Sequence, residues 1–384
     1  MRPLDGIRVI EMAGLAPAPY AGMLLSDFGA DVVIVERLPK RGEEVPRIMP
    51  ENPFEFGKRR VRVDLKKKAG AKILREMIRK YDVLIEPYRP GVMESFGLGP
   101  REALLLNPRL IYARLTGWGQ EGPFAGRAGH DINYIALSGA LSLFRRQRSR
   151  PLPPCNILGD FAGGGMLCTM GILLSLIERQ RSGKGQVIDA AMVDGAASLS
   201  TLFYGLRGNR LMNLDIGTNM LDGGAPFYQT YETADKKFVA VGAIEEKFYE
   251  ELLGGLGICS ADLPHQYDTQ KWPEMIVRFA EIFMTKTREE WAAVFAGKDA
   301  CVTPVLELDE VEKHPHNSER KVFVSVDGFI RPTPAPRLSR TPGKAPRKRR
   351  RNKSGDQEVL RDLGYSDEEV KDFCKREIIA WSSR

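Results

Sequence analysis

The chain has 384 residues, 43% of them hydrophobic, and a formal net charge of +7; cores stop growing near ~250 to 300 residues, so two domains are expected. The positive balance belongs to one window, 344–353, where Lys344, Arg347, Lys348, Arg349, Arg350, Arg351 and Lys353 stand without an acidic residue; the rest is close to neutral, the run reads as a solvated tail, and no nucleic-acid partner is expected. No run of about 18 apolar residues offers a membrane span, and five cysteines without Cys-x-x-Cys spacing speak for a reducing, intracellular setting and against a metal site.

In chain order, Ile7 to Met12 reads as a buried strand, Gly14 to Pro19 as a loop and Tyr20 to Phe28 as a helix. Asp31 to Glu36 reads as a second strand, and the alternation continues with a helix Ala69 to Arg79, a strand Asp82 to Glu86, a short helix Arg101 to Leu106 and a strand Leu110 to Leu115. Such alternation makes parallel βαβ units, with ligands at the carboxyl ends of the strands. The fold class is therefore α/β, a Rossmann-like large domain with a parallel sheet plus a smaller α+β domain. The first βα turn has Pro17 and Pro19 after Gly14 and no further glycine before Gly22, which disfavours a dinucleotide. Gly183-Lys184-Gly185-Gln186 lacks the spacing of a phosphate-cradling loop.

Beyond residue 200, Pro226 to Tyr231 and Lys237 to Val241, joined by a turn at Asp235-Lys236, predict a hairpin. Helices follow around Phe248, over Pro273 to Phe283 and over Glu289 to Phe295, the last with the capping box Thr287-x-x-Glu290. Arg331 to Pro336 reads as extended linker, and Ser366-x-x-Glu369 starts a final short helix. The expected division is 1–200 for the large domain, 201–222 for a linker, 223–305 for the small domain, and 306–384 for a segment returning to the large domain with the basic tail. The first residues run directly into a strand, without a charged segment before an apolar one, so no secretory signal is expected.

Four stretches place titratable groups among glycines and apolar residues, where a proton can be handled: Gly129-His130-Asp131-Ile132-Asn133-Tyr134, Gly159-Asp160-Phe161 with the glycines 163–165, Asn219 to Pro226, and Gly242-Ala243-Ile244-Glu245. Each has a plainer reading. His130 alone suits a structural histidine, Gly163-Gly164-Gly165 tight helix packing, Arg37 and Arg89 surface ion pairs, and Asp222 the cap of a turn. His314-Pro315-His316 is too short to argue for a metal.

Taken together, Arg37, Val63-Asp64-Leu65-Lys66, Tyr88-Arg89-Pro90-Gly91-Val92, Leu110 to Gln120, Gly129 to Tyr134, Gly183 to Ala190, Asn219 to Tyr228 and Asp299 to Val305 resemble the family III CoA-transferase superfamily, and within it the racemases acting on 2-methylacyl-CoA thioesters. The likeness runs in order from about residue 4 to residue 340. It implies a homodimer interlocked like links, each site lying between one chain's large domain and the other's small domain. Coenzyme A enters as part of the substrate and no separate cofactor is implied. Peroxisomal or mitochondrial residence is implied too, although the C-terminal Trp381-Ser382-Ser383-Arg384 is not a Ser-Lys-Leu address.

The implied chemistry is removal of the proton beside the thioester carbonyl and its return to the opposite face, which needs two acid/base groups flanking one carbon. His130 suits one role, with a reference pKa of ~6.5, and Asp160 the other if burial raises its pKa, with Phe161 and the Met166-Leu167 turn as the expected cover. Glu245, or Glu246 beside it, would hold the histidine. Gly159-Asp160 reads as a helix N-terminus whose N–H groups would neutralise the enolate oxygen. Arg37 would meet the phosphorylated ribose, Val63, Asp64, Leu65 and Lys66 the adenosine phosphate, and Arg89 a phosphate. Gly129, Asp131, Ile132, Asn133 and Tyr134 would bind the substrate, Asp131 and Tyr134 along the pantetheine. The rival enzyme reading is a CoA-transferase forming a mixed anhydride on Asp160; the non-enzymatic rivals are an acyl-CoA scaffold and a basic nucleic-acid binder.

Overall fold

The computed structural model describes residues 1–38, 49–347 and 355–380. The chain divides into two compact units, one made of Met1–Ser138, Cys155–Leu199 and Ser318–Arg384, the other of Gly139–Pro154 and Ser200–Asn317. Most of the basic run, residues 348–353, and the C-terminal four residues lie outside the described residues.

The first unit opens with β1 (Arg8–Met12), α1 (Pro17–Asp27) and β2 (Asp31–Glu36). Helix α1 starts three residues before the expected Tyr20, because Pro17 and Pro19 sit in its first turn, where a missing N–H costs nothing. Then come β3 (Arg59–Arg62), α2 (Lys68–Lys80), β4 (Val83–Glu86), α3 (Val92–Ser95), α4 (Pro100–Leu106) and β5 (Ile111–Thr116). The unit continues through α5 (Asp131–Leu137), a π-wound run Ile157–Met166, α6 (Leu167–Ser182), β6 (Val187–Ala191) and α7 (Met192–Leu199).

Among the described residues the strands form a parallel six-stranded sheet in the order β3-β2-β1-β4-β5-β6. Connections leave the central strand β1 in both directions, so ligand-facing loops gather at the carboxyl edge. Strand side chains alternate between two cores. Ile10, Met12, Val33, Val35, Leu84 and Tyr112 pack with Ile73, Leu74, Met77 and Ile78 of α2; Val9, Val32, Val83, Ile85, Ile111 and Ala113 pack on the other face with Leu25 of α1 and Ile172 of α6.

Strand β3 escaped the sequence pattern because Arg-Arg-Val-Arg carries no apolar alternation. Its arginines are held by ion pairs instead, Arg59 to Asp31 and Asp362, Arg60 to Glu36 and Glu55. Val63, just beyond it, bridges Ile379, and Asp64 N–H donates to Ile378 C=O at 2.9 Å.

The second unit holds α8 (Thr201–Gly208), β7 (Tyr228–Glu232), β8 (Phe238–Gly242), α9 (Glu246–Leu256), α10 (Trp272–Phe283), α11 (Arg288–Val294) and β9 (Val302–Pro304). Strands β7, β8 and β9 make an antiparallel sheet, the first two as the expected hairpin. The sheet packs on Leu252, Phe279, Phe283 and Trp291 of the helices. The capping box forms as read: Thr287 N–H donates to Glu290 Oε2 at 2.8 Å and Glu290 N–H to Thr287 Oγ1 at 3.3 Å. Helix α8 occupies part of the stretch read as linker.

After α12 (Pro315–Glu319) the first unit resumes with β10 (Phe323–Val326), β11 (Phe329–Pro332), α13 (Gly355–Leu363) and α14 (Asp367–Lys375). The expected extended linker from Arg331 to Pro336 thus begins as strand, at Arg331 and Pro332. β11 pairs with β10, and Arg331 is buried on Asp27 at 2.7 Å. Ser366 caps α14, as its spacing with Glu369 indicated.

Candidate active site

Strand β5 delivers the chain to a loop that ends at His130, the N-cap of α5. His130 N–H donates to Asn133 Oδ1 at 3.1 Å, and Asn133 N–H donates back to His130 C=O at 2.8 Å. Asn133, expected on the substrate, is therefore engaged in capping, which holds the exposed imidazole at the helix start. The Tyr134 ring fills the space that glycine leaves at two places. A Cβ at Gly117 would stand 2.0 Å from the ring and one at Gly129 2.7 Å from it; the hydroxyl donates to Gly129 C=O. Ile132 is exposed on the same helix.

Asp160 lies in the first turn of the π-wound run. π-Helical turns are rare and cluster at functional sites; here the run's glycines lie close against neighbouring elements. A Cβ at Gly165 would stand 2.7 Å from Pro17 C=O, one at Gly164 3.0 Å from Met192, and one at Gly163 2.9 Å from Ala196 N. The glycine triplet serves close packing on α1 and α7, the plainer of its two sequence readings.

The Asp160 carboxyl is half-buried and receives Asn156 Nδ2 at 3.0 Å. Burial raises its pKa, the Asn156 amide pulls it down, the Asp131 carboxylate raises it and His130 lowers it. His130, Asp131 and Asp160 thus share one electrostatic neighbourhood. Of the expected cover, Phe161 turns edge-on to Tyr20 at 5.0 Å and Phe54 at 5.6 Å between ring centres, and Met166 is exposed.

Asp131, expected along the pantetheine, reaches the start of the π-wound run. It is buried, and its Oδ1 accepts Asp160 N–H at 2.7 Å; the N–H of Gly159 also points at this carboxylate. Burial raises its pKa and these N–H groups lower it. The helix also begins earlier than expected, at Ile157. The N–H groups of Gly159 and Asp160 are thereby engaged by Asp131.

The remaining expected residues of this unit follow the carboxyl ends of successive strands: Arg37 after β2, Asp64, Leu65 and Lys66 after β3, Arg89 after β4. Arg37, Lys66 and Arg89 are exposed; Arg89 lies near enough to lower the pKa of Tyr134, which burial raises. Val63 and Leu65 turn into the core, and Asp64 Oδ1 accepts Lys66 N–H at 3.0 Å. Val63 is buried, 1% exposed, so its side chain is not available to a ligand.

Glu245 belongs to the second unit. It is the exposed N-cap of α9, with Glu246 the first helical residue, and its charge raises the pKa of nearby Cys301 after burial. Within that unit a groove of about 800 Å³ is lined by Phe144, Arg146, Leu221, Tyr228, Gly242 and Cys301, among others. Asp222 caps a turn, accepting the N–H groups of Asn219 and Gly217, both at 2.8 Å. Sequence reasoning missed Asn156, although its i, i+4 spacing to Asp160 was visible.

The family model for CoA-transferase family III matches residues 4–353. The chain is 52% identical to alpha-methylacyl-CoA racemase of Mus musculus over 371 residues, covering 96% of this chain and 95% of that one. It is 49% identical to alpha-methylacyl-CoA racemase of Homo sapiens over 379 residues, covering 98% and 97%. The crystal structure of a CAIB/BAIF family protein from Brucella suis superposes with a TM-score of 0.80 at 23% identity, covering 94% of this chain and 99% of that one, a likeness of fold.

Proposed function

We propose, from the premise that this chain belongs to CoA-transferase family III, that it interconverts the (2R)- and (2S)-epimers of 2-methylacyl-CoA thioesters. The sequence likeness to two racemases spans nearly the whole chain. Within the first unit, the observation that carries the reading is that Asp131, next to His130, accepts the Asp160 N–H at 2.7 Å, so that two groups able to take and return a proton are held in one neighbourhood.

In this mechanism one of the pair removes the proton at C2, leaving an enolate, and the other delivers a proton to the opposite face. An imidazole has a reference pKa of ~6.5 and works near neutrality in either form. Asp160, raised by burial, is brought toward that range, as a carboxyl that must both accept and donate requires. Asn156 holds its carboxylate and Asp131 holds its backbone. Glu245 orients His130, supplied by the small domain of a second copy in an interlocked homodimer. Support for the association comes from a stripe of exposed apolar side chains that starts at Met166, the last residue of the π-wound run, and continues on α6 with Met170, Leu173, Leu174 and Ile177. The helical run Ile157–Ser182 is long and apolar enough to cross a membrane by length and composition, but it carries Asp160 and packs its glycines on α1 and α7, so a partner of the same kind is the cover we assign. Arg37, Lys66 and Arg89 meet the phosphates of coenzyme A as exposed cations on one sheet edge.

The test is incubation of one 2-methylacyl-CoA epimer in deuterated buffer without added acid. Deuterium at C2 together with appearance of the other epimer is expected, and both disappear in His130→Ala. Strict dependence on an acceptor carboxylic acid would replace this reading with CoA transfer through an anhydride on Asp160.

A further inference from the structure

Arg89 sits on a short exposed loop, Pro87–Gly91, whose two ends are tied to one buried ion cluster. Glu86, the last residue of β4, is fully buried. Its Oε1 accepts Arg114 Nε at 2.8 Å and its Oε2 accepts Tyr88 N–H at 2.9 Å. Arg114, directly opposite on β5, is 8% exposed, and its Nη1 reaches Glu94 Oε1 on α3 at 2.9 Å. One guanidinium thus joins the residue just before the loop to the helix just after it. Two further contacts brace the loop: Tyr88 Oη donates to Ala13 C=O at 3.1 Å, and a Cβ at Gly14 would stand 2.4 Å from Pro87. Gly91, at φ 89°, turns the chain from the loop into α3.

Two charges buried under an exposed loop carry a desolvation cost that well-packed apolar residues would not, and nothing in the chemistry assigned to His130 and Asp160 uses them. What they accomplish locally is to fix both ends of the segment that presents Arg89. We propose that Glu86, Arg114 and Glu94 are positioning residues for Arg89, and that through it they set affinity for the phosphate-bearing end of the CoA ester while leaving the proton-transfer step alone. This rests on the reading above that Arg89 meets a phosphate.

The experiment compares two substrates, a 2-methylacyl-CoA and the matching 2-methylacyl-pantetheine ester, which has the same reacting carbon and no phosphate. Glu94→Gln is the main variant, because Glu94 is partly exposed and its replacement leaves Glu86 on Arg114. It is expected to raise KM for the CoA ester about threefold to tenfold, the range that one lost hydrogen bond commands, with kcat, KM for the pantetheine ester and Tm unchanged. Glu86→Gln is expected to move the same KM further in the same direction. A fall in kcat with both esters, an equal rise of KM for both, or no change in either overturns the inference. Arg89→Ala separates the two layers: if it raises KM for the CoA ester and the glutamate variants do not, positioning alone fails; if it leaves that KM untouched, the phosphate reading fails and takes the inference with it.

Discussion

The Oδ1 atom of Asp131 receives the backbone N–H of Asp160 at 2.7 Å, so the residue after His130 fastens the turn that carries the second acid/base group. The link is short in space and 29 positions long in sequence. In the proposed mechanism it ties together two groups that flank one carbon, and it sets the Asp131 carboxylate beside a carboxyl that has to take up and release a proton.

Asp131→Asn keeps an acceptor for the N–H groups of Gly159 and Asp160 but removes the charge that raises the Asp160 pKa. The sign follows directly: with the repelling carboxylate gone, Asp160 ionises more readily and its folded-state pKa falls. In the direction that needs Asp160 ionised, the acidic limb of the kcat/KM profile moves to lower pH. A limb that stays in place, or moves upward, contradicts the assignment.

Asn156→Leu shifts the same limb the other way. The amide stabilises ionised Asp160, so its loss raises the pKa and moves the limb to higher pH. Steady-state rates between pH 5 and pH 9 in both reaction directions measure it, and the two variants give opposite displacements of one titration.

Arg331→Met strands the buried Asp27 carboxyl, whose pKa burial already pushes up to about 6. Breaking a buried pair from one side typically costs about 3 to 5 kcal/mol, whereas replacing both partners by apolar residues is often neutral. Chemical denaturation is expected to show a large loss for Arg331→Met, most of it recovered in the double variant Asp27→Leu/Arg331→Met. Equal losses in the single and double variants would show that the hairpin β10–β11 is held by something else.

Gly195→Ala puts a methyl group 1.9 Å from Gly163 C=O, a backbone clash that no side chain can relieve. Pushing α7 off the π-wound run costs about 1 to 3 kcal/mol and displaces Asp160 as well, so stability and turnover fall together. Gly205→Ala, at an exposed helical site with no atom within 4 Å of the new Cβ, is expected to stabilise by up to about 1 kcal/mol. Thermal melts of the two variants decide it.

Much was legible from residue order alone, for identifiable reasons. Strands β1, β2, β4 and β5 are largely apolar because both their faces are covered, and such runs announce a parallel sheet. The hairpin β7–β8 and the caps at Thr287 and Ser366 depend on neighbours within a few positions. His130 and Asp160 stood out as polar groups set among glycines. By contrast, β3 was hidden because its arginines are neutralised by Asp31, Asp362, Glu36 and Glu55, partners as far as 303 positions away. The same distance concealed the burial of Arg331 on Asp27.

Local order along the chain therefore specified the alternating elements and the cations beyond the strand ends, because each depends on periodicity or on contacts a turn or two away, and it offered His130 and Asp160 as candidates for handling a proton. The three-dimensional arrangement alone set Asp131 Oδ1 on the backbone N–H of Asp160 and packed the glycine triplet against α1 and α7. Those outcomes depend on which polar groups lose water together when distant segments meet, and a buried carboxylate takes whatever N–H the fold presents to it.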